Sequence, residues 1–264
     1  MGAMEKSSSK LLRFIALWDI HWGFERRNRK KIPIHDPRTL ASVLSFARDF
    51  KPDVVVWGGD LLDCSAISHH NRKKRLAVED LRLAEDAAGL AHFMGQLRAA
   101  GSVEQEYYLL GNHEDWLRDV VEEYPALEGI LSVRNLLQLP ESVAMVDQGG
   151  SLQLGKLVFL HGDQLKGGDY VAKRNGEIYA KNIRFGHYHT YQVATRCSPL
   201  DQDDIHTAIA VPCLCRRDLS YGEGAPNKWA QGFLWGYLGP KSFTDQVTVV
   251  TKRGFTALGK DYPR

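Results

Sequence analysis

Five short apolar segments of this 264-residue chain are each followed at once by a block of glycine, aspartate, asparagine or histidine. The segments, such as residues 14–18 and 54–57, have the length and the β-branched or aromatic content of buried strands. An open α/β sheet presents its functional groups at the carboxyl ends of its strands, so the pattern predicts that the blocks meet at one sheet edge. The blocks are residues 19–21, 58–63, 111–114, 161–163 and 186–189.

Helical spacing follows each of the first three strands. Asp36 and Pro37 supply a cap and a first-turn proline for a helix that runs to about Phe50. Apolar residues at helical spacing predict a second helix over residues 77–100, and a third is expected from about Glu114. Alternation of strand and helix is typical of an α/β fold.

The second half of the chain carries short strand-like segments instead. Residues 151–154 and 157–160 flank a Gly-Lys turn, which is the pattern of a hairpin, and further strand candidates follow as far as residue 258. We therefore predict an α/β fold in which two facing mixed β-sheets form a sandwich flanked by helices. Residues 1–10 are interpreted as a disordered tail or tag, and residues 11–264 as one domain.

Composition and cysteine usage limit the setting of the protein. No apolar run approaches the ~20 residues of a membrane span, and the N-terminus lacks the apolar core of a secretory signal. Four cysteines in a chain of this length are not a disulfide framework, so we expect a cytoplasmic protein with no membrane partner. The pair formed by Cys213 and Cys215 has two open interpretations, as metal ligands or as buried structural thiols.

Histidine, aspartate and asparagine dominate the five blocks, and no thiol belongs to the set. Imidazole and carboxylate donors suit Mn, Fe, Zn or Ni. Each block alone has a plain alternative, because Asp-x-His can be a surface coincidence and Gly-Asn-His-Glu can be a turn before a helix. Their joint occurrence in this order, each behind a strand, favours a metal centre.

The ordered blocks resemble the signature of the calcineurin-like metallophosphoesterase family over residues 14–189. They are Asp19-x-His21, Gly59-Asp60-x-x-Asp63, Gly111-Asn112-His113-Glu114, His161-Gly162 and Gly186-His187-x-His189. The resemblance implies two divalent metal ions side by side, with Mn²⁺ favoured and Fe, Zn or Ni as alternatives. It implies that one ion is held by Asp19, His21, Asp60 and His189. It implies that the other is held by Asp60, Asn112, His161 and His187, so that Asp60 bridges both.

Two further residues of these blocks are candidates for catalysis. Two cations ~3.5–4 Å apart can activate a shared water for in-line attack on a phosphate ester, so a hydrolase that uses a metal-bridging hydroxide is expected. His113 stands next to a ligand and suits the acid that protonates the departing oxygen, and Asp63 is placed to orient it. The alternative role of Asp63 is a helix cap.

Basic residues gather in the loops after the first two strands. Arg26, Arg27, Arg72 and Lys73 are the candidates for contact with a polyanionic substrate, for which DNA, RNA or a nucleotide is expected. The alternative is that these runs are solvated faces, since no aromatic stacking platform is evident among them.

Departures from relatives narrow the substrate further. Cys64, Ser65 and Leu110 stand where the protein phosphatases of this superfamily carry arginine, glycine and arginine, so a protein phosphatase is not expected. The favoured function is a phosphodiesterase acting on nucleic acid or nucleotides, similar to the nuclease branch of the family. A phosphomonoesterase for small metabolites and a non-catalytic binding module with the same fold are the alternatives.

Overall fold

A six-stranded sheet holds the first three predicted strands side by side. The structure is a computed structural model and describes residues 10–71, 73–201, 203–219 and 227–264. The parallel strands β1 (Leu12–Leu17), β4 (Val54–Trp57), β5 (Gln105–Leu109) and β6 (Val143–Val146) are successive neighbours. The antiparallel strands β12 (Gln231–Leu238) and β13 (Phe243–Val250) complete the order β13-β12-β1-β4-β5-β6. The predicted strands therefore end at one edge.

A five-stranded sheet holds most of the second half. Its central strands β8 (Leu157–Leu160), β9 (Asn182–Phe185) and β11 (Ile205–Ala210) are parallel. The edge strands β7 (Ser151–Leu154) and β10 (Gln192–Cys197) are antiparallel to their neighbours, and the order is β10-β11-β9-β8-β7. The predicted hairpin over residues 151–160 is confirmed.

The two sheets face each other across an apolar layer. Side chains alternate along β1, so that Phe14 points between the sheets while Ile15 points toward the helices. Phe14 and Phe159 meet edge to face with ring centroids 5.9 Å apart. The Trp18 indole donates a hydrogen bond of 2.9 Å to the Leu160 carbonyl of the facing sheet. The predicted sandwich of mixed sheets is confirmed.

Helices cover the outer faces of both sheets. In chain order they are α1 (Pro37–Phe50), α2 (Arg75–Val78), α3 (Leu83–Ala100), α4 (Asn112–Glu123), α5 (Val133–Leu136) and α6 (Val171–Tyr179). The prediction for α1 is confirmed, with the Asp36 carboxylate accepting from the Thr39 amide at 3.1 Å. Within the described ranges, no helix has both the length and the apolar character needed to cross a bilayer.

Two expectations about local structure were wrong. The single helix expected over residues 77–100 is interrupted, since α2 ends at Val78 and α3 begins at Leu83; beside the break the Arg26 guanidinium binds the Leu76 carbonyl and the Glu79 carboxylate. The helix expected from about Glu114 is confirmed as α4. The segment after β1 is a hairpin of β2 (Phe24–Arg27) and β3 (Lys30–Pro33) rather than a loop.

The C-terminus forms a second small hairpin of β14 (Gly254–Ala257) and β15 (Lys260–Pro263), which contributes Phe255 and Tyr262 to the core around α1. Apart from Lys10, the tail predicted over residues 1–10 lies outside the described residues. The interpretation of residues 11–264 as one domain stays a prediction.

Candidate metal centre

The loops after β1 and β4 remain paired beyond the ends of their strands. The Asp19 amide donates to the Gly59 carbonyl at 3.1 Å, and the His21 amide donates to the Asp60 carbonyl at 2.9 Å. The backbone of the next loop is tied in as well, since the His113 amide donates to Asp60 Oδ1 at 2.9 Å. These bonds fix three of the sequence-predicted blocks against one another.

Donor atoms of the predicted first ion site converge. The Nε2 atoms of His21 and His189 lie 3.3 Å apart, and His189 Nε2 lies 3.7 Å from Asp19 Oδ1. Asp60 Oδ2 is 3.9 Å from His21 Nε2. All four predicted ligands are buried, with at most 6% of each residue exposed.

The predicted second site lies on the other side of Asp60. Asp60 Oδ2 is 3.4 Å from His161 Nε2, which is in turn 3.2 Å from the amide oxygen of Asn112. His187 completes a group in which its ring nitrogen and the donor atoms of Asp60 and His161 all lie within 4.8 Å of one another. Asp60 is thus the carboxylate shared by both groups.

Hydrogen bonds at the far ring nitrogens orient two of these imidazoles. His161 Nδ1 lies 3.1 Å from the Gly58 carbonyl oxygen, which can only accept, so Nδ1 carries the proton. His21 Nδ1 bonds the Asp63 carboxylate at 3.1 Å. The Nε2 atoms consequently point into the cluster, which is the arrangement expected of metal-binding histidines.

The backbone at the predicted ligands adopts an uncommon conformation. Asp19, His21, Asp60, His187 and His189 all have φ between +49° and +64°. For residues other than glycine this left-handed region is sparsely populated and costs about 1–3 kcal/mol at each position. Such outliers cluster at functional sites, where the surrounding structure maintains them.

Two glycines permit the close approach of the loops. A Cβ atom at Gly111 would lie 2.2 Å from Asp60 Oδ1, and one at Gly186 would lie 2.5 Å from Asp19 Oδ2. Any side chain at these positions would displace a predicted ligand.

The unpaired polar atoms and the charges of the cluster fit divalent cations. Asp19 Oδ1 is buried without a hydrogen-bond partner, and the Nε2 atoms of His21 and His189 lie 3.3 Å apart at the same place. Burial opposes ionisation of Asp60, yet the neighbouring imidazoles, His161 first, hold its pKa well below the ordinary value. Burial alone would lower the pKa of His161, but Asp60 raises it to about 10. The cluster therefore attracts positive charge at the positions where metals are predicted.

Comparison with known proteins bears on this arrangement. The profile described as calcineurin-like phosphoesterase matches residues 12–209. The chain belongs to this family. The match confirms the resemblance noted from the sequence. Members of the calcineurin-like phosphoesterase family bind divalent metals. No curated protein matches the chain.

Two solved structures are similar in fold to this family member. Vacuolar Protein Sorting 29 from Cryptosporidium parvum is 11% identical, with a TM-score of 0.49 and coverage of 96% of this chain and 99% of that chain. Vps29 from Entamoeba histolytica complexed with zinc is 10% identical, with a TM-score of 0.44 and coverage of 93% and 96%. At these values the likeness carries no information about activity.

Glu114 connects the loops of the site through main-chain hydrogen bonds, a role that the sequence analysis did not predict. Its buried carboxylate accepts from the amides of Asp60 (2.9 Å), Leu61 (2.7 Å), Leu62 (3.0 Å) and Gly111 (3.0 Å). The side chain thus ties the loop after β4 to the start of α4. Its position as the third residue of that helix, typical of a capping box, was the available signal.

His113 and Asp63 meet at the edge of the cluster, but their contact differs from the prediction. His113 Nδ1 bonds the backbone carbonyl of Asp63 at 2.8 Å, whereas its distance to the Asp63 carboxylate is 3.8 Å. The Asp63 carboxylate instead contacts His21 and accepts from the Ser65 hydroxyl. Asp63 therefore holds His113 through its main chain and His21 through its side chain. It caps no described helix.

Among the predicted substrate-binding basic residues, the three that the structure describes do not line the cavity. Arg26 binds Glu79 at 2.6 Å, and Arg27 binds Glu25 at 2.9 Å. Neither residue lines the cavity at the donor cluster, and Lys73 does not line it either. Arg72 lies outside the described residues. Their contact with substrate stays a prediction.

A cavity of about 520 Å³ opens over the donor cluster. Its wall includes Lys74, which belongs to the basic run predicted after the second strand, and Trp116 and Trp229, neither of which was a candidate from the sequence. Trp116 lies three residues after His113 on α4, and this spacing was the available signal. Trp229 stands 40 residues from the nearest predicted ligand, His189, so no local pattern indicated it.

The Cys213 and Cys215 pair is buried beside the cluster. Cys215 Sγ lies 4.0 Å from His189 Nδ1, and it forms with one ring nitrogen each of His21 and His189 a group of possible ligand atoms that all lie within 4.8 Å of one another. Cys213 packs with Ile34, Cys215 and Leu219 in a small apolar group. Cys215 is therefore adjacent to a predicted ligand, while Cys213 occupies the position of a structural thiol.

Proposed function

We propose that this protein is a two-metal phosphodiesterase that acts on nucleotides or nucleic acid. The observation that carries the proposal is the convergence of all seven predicted ligands in one cluster, five of which line an open cavity together with His113, with the buried Asp19 Oδ1 left without a partner. Asp19, His21 and His189 would hold one ion, Asn112, His161 and His187 the other, and Asp60 both.

The proposed ions are Mn²⁺, with Fe, Zn or Ni compatible with the same nitrogen and oxygen donors. When bound, the two ions supply Lewis-acid chemistry, because they neutralise phosphate oxygens and lower the pKa of coordinated water.

His113 is positioned to complete the hydrolysis. In the net reaction a water oxygen forms a bond to phosphorus, the ester P–O bond breaks, and the departing oxygen takes a proton. His113 Nδ1 is engaged by the Asp63 carbonyl, so Nε2 is the atom that faces Asp60 and the cavity, at 3.9 Å from Asp60 Oδ2. In the imidazolium form Nε2 can donate a proton to the departing oxygen.

The charge of the cavity favours a diester over a monoester. A phosphomonoester is largely a dianion near neutral pH, whereas a diester carries one negative charge. Among the described residues that line the cavity, Lys74 is the sole lysine or arginine. Apart from the positive charge at the donor cluster, the cavity therefore offers little to balance the second negative charge of a phosphomonoester.

The test is hydrolysis by the purified protein with Mn²⁺. We expect turnover of bis-p-nitrophenyl phosphate to exceed turnover of p-nitrophenyl phosphate, and we expect cleavage of labelled DNA. Turnover of the monoester alone would identify a phosphomonoesterase instead. No turnover with Mn²⁺, Fe²⁺, Zn²⁺ or Ni²⁺ would identify a binding module.

A His113→Ala variant tests the acid role separately. We expect kcat to fall about 10²–10⁴-fold, the usual contribution of positioned acid catalysis, while the metal content stays that of the wild type. Full activity with full metal content would exclude the proposed role. Loss of metal from this variant would show that the histidine is a ligand.

We also infer that the protein works in a reducing compartment such as the cytoplasm, without a membrane partner. All four cysteines are free thiols, and Cys64, Cys213 and Cys215 are buried. Such usage is typical of proteins that are not stabilised by disulfides.

A further inference from the structure

Two tryptophans flank a row of imidazole rings across the cavity. The Trp116 ring lies 4.2 Å from the His113 ring, and the Trp229 ring lies 4.3 Å from the His189 ring, measured between centroids. His21 stands between the two histidines, at 4.5 Å and 5.2 Å from them. An aromatic surface therefore lies immediately beyond each end of the donor cluster.

Trp116 is on the side of the departing group. It shares a face of α4 with His113, which is three residues earlier and is the proposed donor of the proton to the departing oxygen. The rings of His69 and His70 lie 5.6 Å and 5.9 Å from it, and Lys74 lines the same wall. This wall combines a half-buried indole with a cation.

Trp229 is on the opposite side and is fixed by its neighbours. The Ala230 amide donates to the His189 carbonyl at 2.8 Å, which holds the chain at Trp229 against the predicted ligand. The indole packs on the apolar group of Ile34, Cys213, Cys215 and Leu219, and it remains half-buried at the cavity wall. Its position is therefore set before any substrate binds.

Such an arrangement suits a phosphate that has a flat ring on both sides. Nucleobases stack on aromatic side chains irrespective of sequence, whereas a sugar phosphate or another small phosphoester has no ring to place there. Building on the proposed function, we propose that Trp116 and Trp229 stack on the two bases that flank the scissile phosphate. The substrate is accordingly two nucleosides joined by a phosphodiester, either a free dinucleotide or part of a single strand.

The test compares Trp116→Ala and Trp229→Ala on three diesters in the metal-loaded protein. With the dinucleotide TpT, we expect each substitution to lower kcat/KM about 5- to 100-fold, the range for loss of one stacked base. With methyl p-nitrophenyl phosphate, whose ring is on the departing group, only Trp116→Ala should reduce it. With glycerophosphoglycerol, which has no ring, neither should change it by more than about twofold.

Conservative variants separate stacking from a structural role. Trp116→Phe and Trp229→Phe should restore kcat/KM for TpT to within about threefold of the wild type, because phenylalanine still offers a ring face. Tyr124→Ala is the matched control, since this exposed aromatic at the end of α4 lies away from the cavity. Equal losses on all three diesters, or no loss on TpT, would overturn the proposal.

A binding measurement keeps this inference separate from the proposed function. The methylphosphonate analogue of TpT is uncharged at the linkage, so its affinity depends mainly on the bases. We expect it to quench tryptophan fluorescence of the wild type, with quenching weakened in both alanine variants even if no diester is cleaved. Affinity unchanged in both variants would reject stacking. A preference for oligothymidylate over TpT would identify a strand as the source, and the reverse would identify a free dinucleotide.

Discussion

The two predicted ion sites differ in the exposure of their ligands. On the inner side Asp19, His21 and His189 have 0%, 2% and 6% of their surface exposed. On the outer side His161 is equally buried at 1%, whereas Asn112 and His187 are half-buried, and these two line the cavity together with His21 and His189. Electrostatic attraction is stronger where water is excluded. We infer that a bound ion would be retained more firmly on the inner side than on the outer side.

The largest effect is expected at Asp60, which joins the two sides. Asp60→Asn keeps the shape but removes the shared charge, so both ions should be lost or weakened and kcat should fall ~10³-fold or more, equivalent to about 4 kcal/mol. Metal content by mass spectrometry and turnover of bis-p-nitrophenyl phosphate check this. Glu141→Gln, at a side chain that is 94% exposed, is the control. Two retained ions with activity within tenfold of wild type would contradict a shared ligand.

A pH-dependent effect is expected behind the inner side, at Asp86 on α3. Burial, and then the nearby Asp63 carboxylate, raises the pKa of Asp86 to about 7, and its Oδ1 has no hydrogen-bond partner. The folded state therefore holds a proton that the unfolded state releases near pH 4. The contribution of this carboxyl to stability falls as pH rises from about 4 to 7.

Asp86→Asn should remove that dependence. The free energy of unfolding of the variant minus that of the wild type should be larger at pH 8 than at pH 5 by about 2–3 kcal/mol, so the variant gains relative stability at high pH. Urea unfolding with a chelator present measures the difference. Glu141→Gln, whose side chain is 94% exposed, serves as the comparison and should show no such trend. Parallel stability curves for Asp86→Asn and wild type would refute the assignment.

A smaller effect should distinguish the two sides directly. His189→Ala should weaken metal binding about tenfold more than His187→Ala, because it removes a donor from the more buried group. Competition with a chromophoric chelator gives both dissociation constants in matched imidazole-to-methyl variants. Equal constants would mean that burial does not separate the sides.

The smallest effect is expected from the thiol behind His189. Cys215→Ser replaces the thiol near His189 Nδ1 by a smaller hydroxyl. Because this contact is already long at 4.0 Å, metal affinity on the inner side should change only about threefold. Cys213→Ser, in the same apolar group, should leave affinity unchanged. A larger effect from Cys213 would assign the pair a joint role in metal binding.

Much of the fold could be predicted because its patterns are local. The strand Val54–Trp57 and the helix Pro37–Phe50 were confirmed at both ends, since a continuous buried run and an Asp-Pro cap specify them within a few residues. The hairpin of β2 and β3 was missed because its basic residues obscure the alternation. The break before α3 was missed as well, and the contact of Arg26 with the chain there comes from 57 positions before Leu83.

In the site, too, features set by local patterns could be predicted and features set by distant contacts could not. The predicted ligands come together because each stands directly after a strand, so topology alone makes them neighbours. The side-chain partner of Asp63 could not be predicted, since the choice between His21 and His113 depends on loop geometry that no spacing specifies. The cavity wall at Trp229 depends on packing with residues 34 and 213–219, which are distant in the sequence.

The left-handed backbone at five predicted ligands bears on which ion the protein selects. Hydrogen bonds to Gly59, Asp60 and Glu114 hold the main chain at three of these residues, Asp19, His21 and Asp60, so the spacing of their donor atoms is fixed by the fold itself. A metal site with fixed distances between its donor atoms selects ions by radius and coordination number, because the site does not rearrange around the ion. Replacing one transition metal with another should thus alter turnover while leaving the surrounding loops in place.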